Sequence, residues 1–254
     1  MPCLFRPLFR LLFRCVLPIL LALSGSAVAG PWPREEKGVF LSFSGERDVQ
    51  GNAYSSLYAE YGLRPRVTLG LELGRSSGGE TSAMFWLQRA LDRGEGPNRF
   101  SAALGMGALE RRGEYLPLAQ IAVGWGRGFD SLPVLRRVPR GGWLSVEARY
   151  KIAGAMKDKA EIAELAARGA GLLSYLTPES EAKAELTLGW HAGESLMLIG
   201  QVRAEEREDS GFGAKLAVTA VRDLIGPARL ELGMIEPLSG PGERAVKLGL
   251  WVAF

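Results

Sequence analysis

Val246-Lys247-Leu248-Gly249-Leu250-Trp251-Val252-Ala253-Phe254 is the stretch that decides how this chain is read. Counting back from Phe254, large apolar residues recur at every second position, as Val252, Leu250, Leu248 and Val246. The positions between are mixed: Ala253, Trp251, Gly249 and Lys247. A period of two places alternate side chains on opposite faces of a β-strand. One face of this strand therefore meets an apolar environment and the other does not.

Working outward from that strand, the chain holds about twelve segments of the same kind. They are Val39 to Glu46, Ser55 to Tyr61, Arg66 to Gly74, Ala83 to Arg89, Phe100 to Leu109, Ala119 to Trp125 and Trp143 to Lys151. Ala182 to His191, Leu196 to Glu205, Lys215 to Val221, Arg229 to Ile235 and the terminal stretch complete the set. The clearest sets Val67, Leu69, Leu71 and Leu73 against Thr68, Gly70, Glu72 and Gly74. No segment after the leader has the roughly 20 apolar residues of a membrane helix.

The opposite end reads as a secretory signal peptide. Arg6, Arg10 and Arg14 form a basic region, Cys15 to Leu23 an apolar one, and Ala27-Val28-Ala29 a small-residue cleavage site. The expected division is a leader over residues 1–29 and one barrel domain over 30–254. Both cysteines, Cys3 and Cys15, fall in the leader, which leaves no thiol or disulfide chemistry to the remainder. Of the 31 Lys and Arg, three are the leader arginines, and none of the 28 Asp and Glu is there. The exported chain is thus formally neutral, with no electrostatic basis for a nucleic-acid partner.

Alternation fits two architectures. In a soluble sandwich the apolar face is the core and the charged face is wet. In a membrane barrel the apolar face meets lipid and the charged face lines the lumen. The leader and a chain ending on Phe254 resemble outer-membrane β-barrels of Gram-negative bacteria. Hairpins such as Leu57-Tyr58-Ala59-Glu60-Tyr61-Gly62-Leu63 carry the same resemblance, to small barrels of the porin and transporter type. That resemblance implies an all-β, closed antiparallel transmembrane β-barrel in contact with outer-membrane lipid. It further implies that the last strand and its terminal aromatic are read by the barrel-assembly machinery.

With the first strand rising from the periplasm, Tyr61, Trp125, Trp190 and Phe254 fall at the lower ends of descending strands. That placement predicts an aromatic girdle at one membrane interface, with Tyr150 and Phe43 at the upper one. Gly62 to Pro65, Gly94 to Asn98, Ala192 to Glu194 and Asp223 to Pro227 are short enough for periplasmic turns. Phe129 to Arg140, with its basic cluster, is long for one. Ala153 to Glu179 is expected to be an extracellular loop with a short helix within Met156 to Ala167, ended by Pro178. A competing reading makes Gly171 to Leu176 an additional strand.

Catalytic and cofactor chemistry find little support. His191 is the single histidine, beside a tight turn with only Ser195 near it in sequence, so it reads as ornament rather than a general base. One histidine and no exported cysteine do not build a transition-metal site, and no cofactor is expected. Gly105-Met106-Gly107 and Gly124-Trp125-Gly126 precede no helix, so neither is a nucleotide loop.

The lumen face remains. Parity assigns to it Glu60, Glu72, Glu147, Arg149, Lys183, Glu185, Arg203, Glu205, Lys215, Arg229, Glu231 and Lys247. These side chains either pair across the interior and plug it, or line a narrow aqueous path for small solutes. Barrels of about eight strands are filled and those of 16 to 18 are open, so about twelve lies between. Gly70, Gly105, Gly124, Gly189, Gly233 and Gly249 at lumen parity lean toward open space, and hence toward a narrow channel rather than a closed structural or surface-interaction barrel; an enzyme is not expected.

Overall fold

A computed structural model describes residues 30–169, 176–208 and 210–254. The leader reading and most of the alternative strand at Gly171 to Leu176 lie outside the described residues. The described residues form twelve strands: β1 (Val39–Asp48), β2 (Ala53–Arg64), β3 (Val67–Ser76), β4 (Glu80–Ala90), β5 (Asn98–Arg111) and β6 (Glu114–Gly128). β7 (Gly142–Met156), β8 (Leu176–His191), β9 (Leu196–Arg207), β10 (Gly211–Asp223), β11 (Ala228–Ser239) and β12 (Ala245–Ala253) follow. Each strand pairs antiparallel with its sequence neighbours, and β12 pairs with β1 through Leu41↔Val252 and Phe43↔Leu250. The sheet is therefore closed, which leaves no edge of unpaired backbone for lipid to meet.

Alternation in sequence becomes alternation of faces. Leu69, Leu87, Leu104, Ile121, Val123, Leu188, Leu232, Leu248 and Leu250 are exposed on the outside. Their neighbours Thr68, Gln88, Ser101, Gln120, Thr187 and Glu231 are buried within. This is a transmembrane β-barrel, with hydrocarbon-facing side chains outward and polar ones inward.

The end of the barrel that holds Val39 and Phe254, the turn end, carries connections 65–66, 91–97, 129–141, 192–195 and 224–227; the opposite, loop end carries 49–52, 77–79, 112–113, 157–175, 208–210 and 240–244, so short and long connections occur at both. At the loop end, Arg112 (φ 55) and Gly113 (φ 82) join β5 to β6 in the two-residue turn that matches strand twist. At the turn end, Phe129–Ser131 and Leu135–Arg137 each form a single 3-10 turn, and Phe129 folds inward to 2% exposure.

Three expectations are corrected. β7 and β8 pair upward to Met156↔Leu176, so both ends of the expected loop, Ala153 to Met156 and Leu176 to Glu179, are strand and the connection is shorter. Pro178 sits in β8 opposite Gly154 and ends no helix. Helix α1 (Lys159–Ala167) does form, with the Asp158 carboxylate accepting from the Glu161 N–H at 2.9 Å. Tyr150 consequently lies in mid-strand, beside Ile121 and Ala182, and not at an upper end. Phe43, level with Leu57 and Leu250, is likewise mid-strand. The backbone ladders continue past both residues, to Met156↔Leu176 and to Asp48↔Ala245, beyond the points where the alternation of side chains fades.

Candidate functional site

The inward face encloses a cavity of about 850 Å³, toward the loop end. Ten residues assigned to the lumen by parity line it: Glu72, Glu147, Arg149, Lys183, Glu185, Arg203, Glu205, Lys215, Glu231 and Lys247. The other two sit elsewhere. Glu60, 7% exposed, is held below the cavity by Arg34 and by the Tyr58 hydroxyl, which donates to it at 2.5 Å. Arg229 pairs with Asp223 at 2.8 Å beside the β10–β11 turn.

Every lysine and arginine on the cavity wall has a carboxylate neighbour. Lys183 lies 3.4 Å from Glu205 and 3.1 Å from Glu181. Arg203 is 3.4 Å from Glu185, and Arg149 donates from Nε to Glu147 at 3.0 Å. Lys247 is 2.9 Å from Glu231, which also accepts the Trp251 indole N–H at 2.9 Å. Cross-strand placement of opposite charges is the cheapest way to keep ions inside a barrel. The pairing is incomplete, however. Glu46, Asp48, Glu72, Glu147, Glu185, Glu205, Glu231 and Glu243 face Arg149, Lys183, Arg203, Lys215 and Lys247 across the cavity, an excess of three carboxylates.

The cavity has an aromatic floor that parity arguments about charged residues overlook. Trp251, Phe40, Tyr58 and Trp86 run in a row of ring contacts, with centroids 5.6, 6.1 and 5.2 Å apart. Trp143 continues the layer with Met197, Ile199 and Val221. The space beside the inward glycines is filled by neighbouring groups and is not open, which corrects the expectation; at Gly70 and Gly189 the filling group is a ring of this floor. A Cβ on Gly70 would stand 2.0 Å from Trp86, and one on Gly189 would stand 2.3 Å from Trp143. In both cases the tryptophan lies over the glycine directly opposite it on the next strand. The signal was present in sequence as Trp86 and Trp251 at lumen parity.

Under the floor runs a segment that sequence reasoning assigned no role. Residues 30–34 lie inside the barrel before β1 begins, and Glu35 to Lys37 stand exposed at its turn-end mouth. Pro31 is fully buried, and Trp32 packs against the Trp143, Met197, Ile199 and Val221 cluster. The Arg34 N–H donates to Thr68 Oγ1 at 2.9 Å, and its guanidinium pairs with Glu60 and lies 4.5 Å from the Phe40 ring centre. Gln88 Nε2 donates to the Gly30 carbonyl at 3.3 Å, and the Lys37 N–H to the Gly62 carbonyl at 2.7 Å. The only cue in sequence was Pro31-Trp32-Pro33, which suggests a stiff, bulky connector.

Four aromatics expected at an interface lie at outward parity near the turn end. Tyr61 is opposite Val39, Trp125 opposite Phe100, and Trp190 opposite Gly142, while the Phe254 N–H donates to the Val39 carbonyl at 3.0 Å. Trp125 and Trp190 donate their indole N–H groups to Asn98 Oδ1 (3.2 Å) and the Pro139 carbonyl (3.0 Å). His191 ends β8 with its ring 5.9 Å from that of Trp143, and among the described residues its ring has no hydrogen bond to a serine or carboxylate.

A closed antiparallel barrel, apolar outside and ionisable inside, is the architecture of outer-membrane porins and channels. The chain superposes on an outer membrane channel from Pseudomonas putida F1 with a TM-score of 0.56, at 12% identity over 91% of this chain and 100% of that one. The NanC porin gives 0.54 at 8% identity, over 84% of this chain and 98% of its own. The KdgM porin gives 0.54 at 7%, over 85% and 99%. The likeness is one of fold. No family model matches the sequence, and no curated protein matches it.

Proposed function

We propose that this chain is an outer-membrane channel that passes small neutral or cationic solutes. The observation that carries the reading is the polar cavity of about 850 Å³ inside a closed barrel, with its excess of three carboxylates. An acidic low-dielectric passage concentrates cations and repels anions. In this reading the turn end faces the periplasm and the loop end the outside. The leader directs export, and β12 with Phe254 is the element bound by the assembly machinery. The interior residues position ions and water; they perform no covalent chemistry.

The test is single-channel recording of the purified chain in a planar bilayer across a KCl gradient. Discrete conductance steps with a reversal potential of cation sign are expected. An anion-selective reversal potential overturns the solute class. A second reading, a closed surface-interaction barrel, is favoured by the aromatic floor and the buried Pro31 beneath it. It predicts an electrically silent barrel in every variant.

A further inference from the structure

We propose that residues 30–37 form a strap that gates the turn end of the lumen, latched to the wall by the Arg34–Glu60 ion pair. The inference rests on the channel reading above. It adds that conduction is controlled from within the chain.

The strap crosses the bore and does not hug one wall. Gly30 lies against Ser145 of β7, and its carbonyl accepts from Gln88 of β4. Arg34 reaches Thr68 of β3 and Glu60 of β2, while Trp32 packs toward β9 and β10. One short segment therefore touches strands on opposite sides of the barrel. Each of its polar contacts ends on a side chain or carbonyl of the wall, so leaving the bore breaks all of them together.

The wall is shaped to receive it. A Cβ on Gly126 would stand 2.5 Å from both Pro31 and Trp32, one on Gly124 would stand 3.3 Å from Pro31 Cβ, and one on Gly62 would stand 1.8 Å from the Glu35 carbonyl. Three inward glycines on two separated hairpins are thus occupied by the strap, as they would be by a ligand. Its two anchors differ in kind: Pro31 and Trp32 fill space, whereas Arg34 supplies one charge that Glu60 must match. Both partners of that pair are nearly shut off from solvent. A buried pair broken on one side is costly, whereas an exposed one is nearly free to open. The strap is therefore a two-state element, seated or released, and Trp32 takes the support from under Trp143 when it leaves.

The experiment compares three full-length chains in planar bilayers: wild type, a Pro31→Gly/Trp32→Gly/Arg34→Gly variant, and Glu60→Lys. A charge-swapped chain, Arg34→Glu/Glu60→Lys, serves as the rescue. Heat-modifiable mobility on gels checks that each barrel has closed. The expected result is a low-conductance or flickering wild type, a several-fold larger and steadier conductance in both latch-breaking variants, and a return toward wild type in the charge swap. Wild type and variants conducting alike overturns the strap and leaves the channel reading intact. Folded barrels that are silent in every variant overturn the channel reading itself. If the triple variant fails to fold, Pro31→Cys/Gly124→Cys supplies the same test, because the Cβ separation of 3.3 Å is close to disulfide geometry. Oxidation should then hold the current at its lowest level and reduction should restore wild-type openings. Equal currents in both redox states overturn the gate.

Discussion

Removing the Glu231 carboxylate is the sharpest single perturbation of the interior. Glu231 is 2% exposed and sits 2.9 Å from Lys247 Nζ, with the Trp251 indole N–H donating to it at 2.9 Å. Gly249 is required beside it, since a Cβ there would come within 2.5 Å of Glu231 Oε2. Glu231→Leu strands an ammonium whose side chain is only 16% exposed. Breaking one side of a buried pair costs about 3–5 kcal/mol, and an unsatisfied indole N–H adds about 1 kcal/mol. Lys247 borders the cavity and regains some water, so the expected loss is about 3 kcal/mol, at the low end of that range. Urea unfolding in phospholipid vesicles, followed by tryptophan fluorescence, measures it. Glu231→Gln should retain the indole bond and lose less. Lys247→Met combined with Glu231→Leu should recover about 2 kcal/mol relative to the sum of the single losses. A loss below about 1 kcal/mol for Glu231→Leu, or a strictly additive cycle, would refute the claim that this pair is held away from solvent.

Three further outcomes follow from the same structure. Leu104, 69% exposed on the outer face between Leu87 and Ile121, should cost about 2–4 kcal/mol when changed to Arg in vesicles; no loss places that face in water. Gly70→Val drives a side chain into Trp86 and should cost about 1–3 kcal/mol with a changed near-ultraviolet dichroism of the indole; unchanged dichroism refutes the stacking. Burial at the β4–β5 turn pushes the Asp92 carboxyl upward, but the Phe100 and Gly94 N–H groups (2.7 and 2.8 Å) and the Arg99 guanidinium outweigh it and hold the carboxyl below its ordinary value. The folded form therefore binds this proton less readily, so the turn's extra stability is present above the ordinary carboxylate value of about 3.9 and fades as pH falls through the lower folded value. A carbon-13 titration of Asp92 with a midpoint at or above about 3.9 contradicts that assignment.

The strands could be read because each crosses an apolar band on one face only. β3 and β12 show this most plainly, with leucines at every second position and Gly, Thr, Glu or Lys between. Strand lengths were harder. Beyond Lys151 the residues of β7 are small or apolar on both faces (Ile152-Ala153-Gly154-Ala155) and before Ala182 those of β8 are mostly polar on both, so the period fades although the backbone ladder continues to Met156 and Leu176. The charged wall was legible by parity, because an ionisable group at alternate positions has nowhere to go but inward. The aromatic floor was hidden by the assumption that aromatics gather at membrane interfaces. Trp86, Trp143 and Trp251 stand at inward parity, each opposite a glycine or small residue. The strap was the least legible element, since Pro31-Trp32-Pro33 carries no period at all and its placement depends on glycines far away in β2 and β6.

The inversion of faces is tested most directly by nitroxide scanning of β3 and β8 in vesicles. Replacing Cys3 and Cys15 by serine leaves a background in which single cysteines can be introduced at 69, 71, 72 and 73 of β3 and at the cavity-lining positions 183 and 185 of β8. Oxygen, concentrated in hydrocarbon, should relax labels at positions 69, 71 and 73, and a water-soluble nickel chelate should favour 72, 183 and 185. Accessibility without a period of two, or with the two sets exchanged, contradicts a barrel whose leucines face lipid and whose carboxylates face its axis.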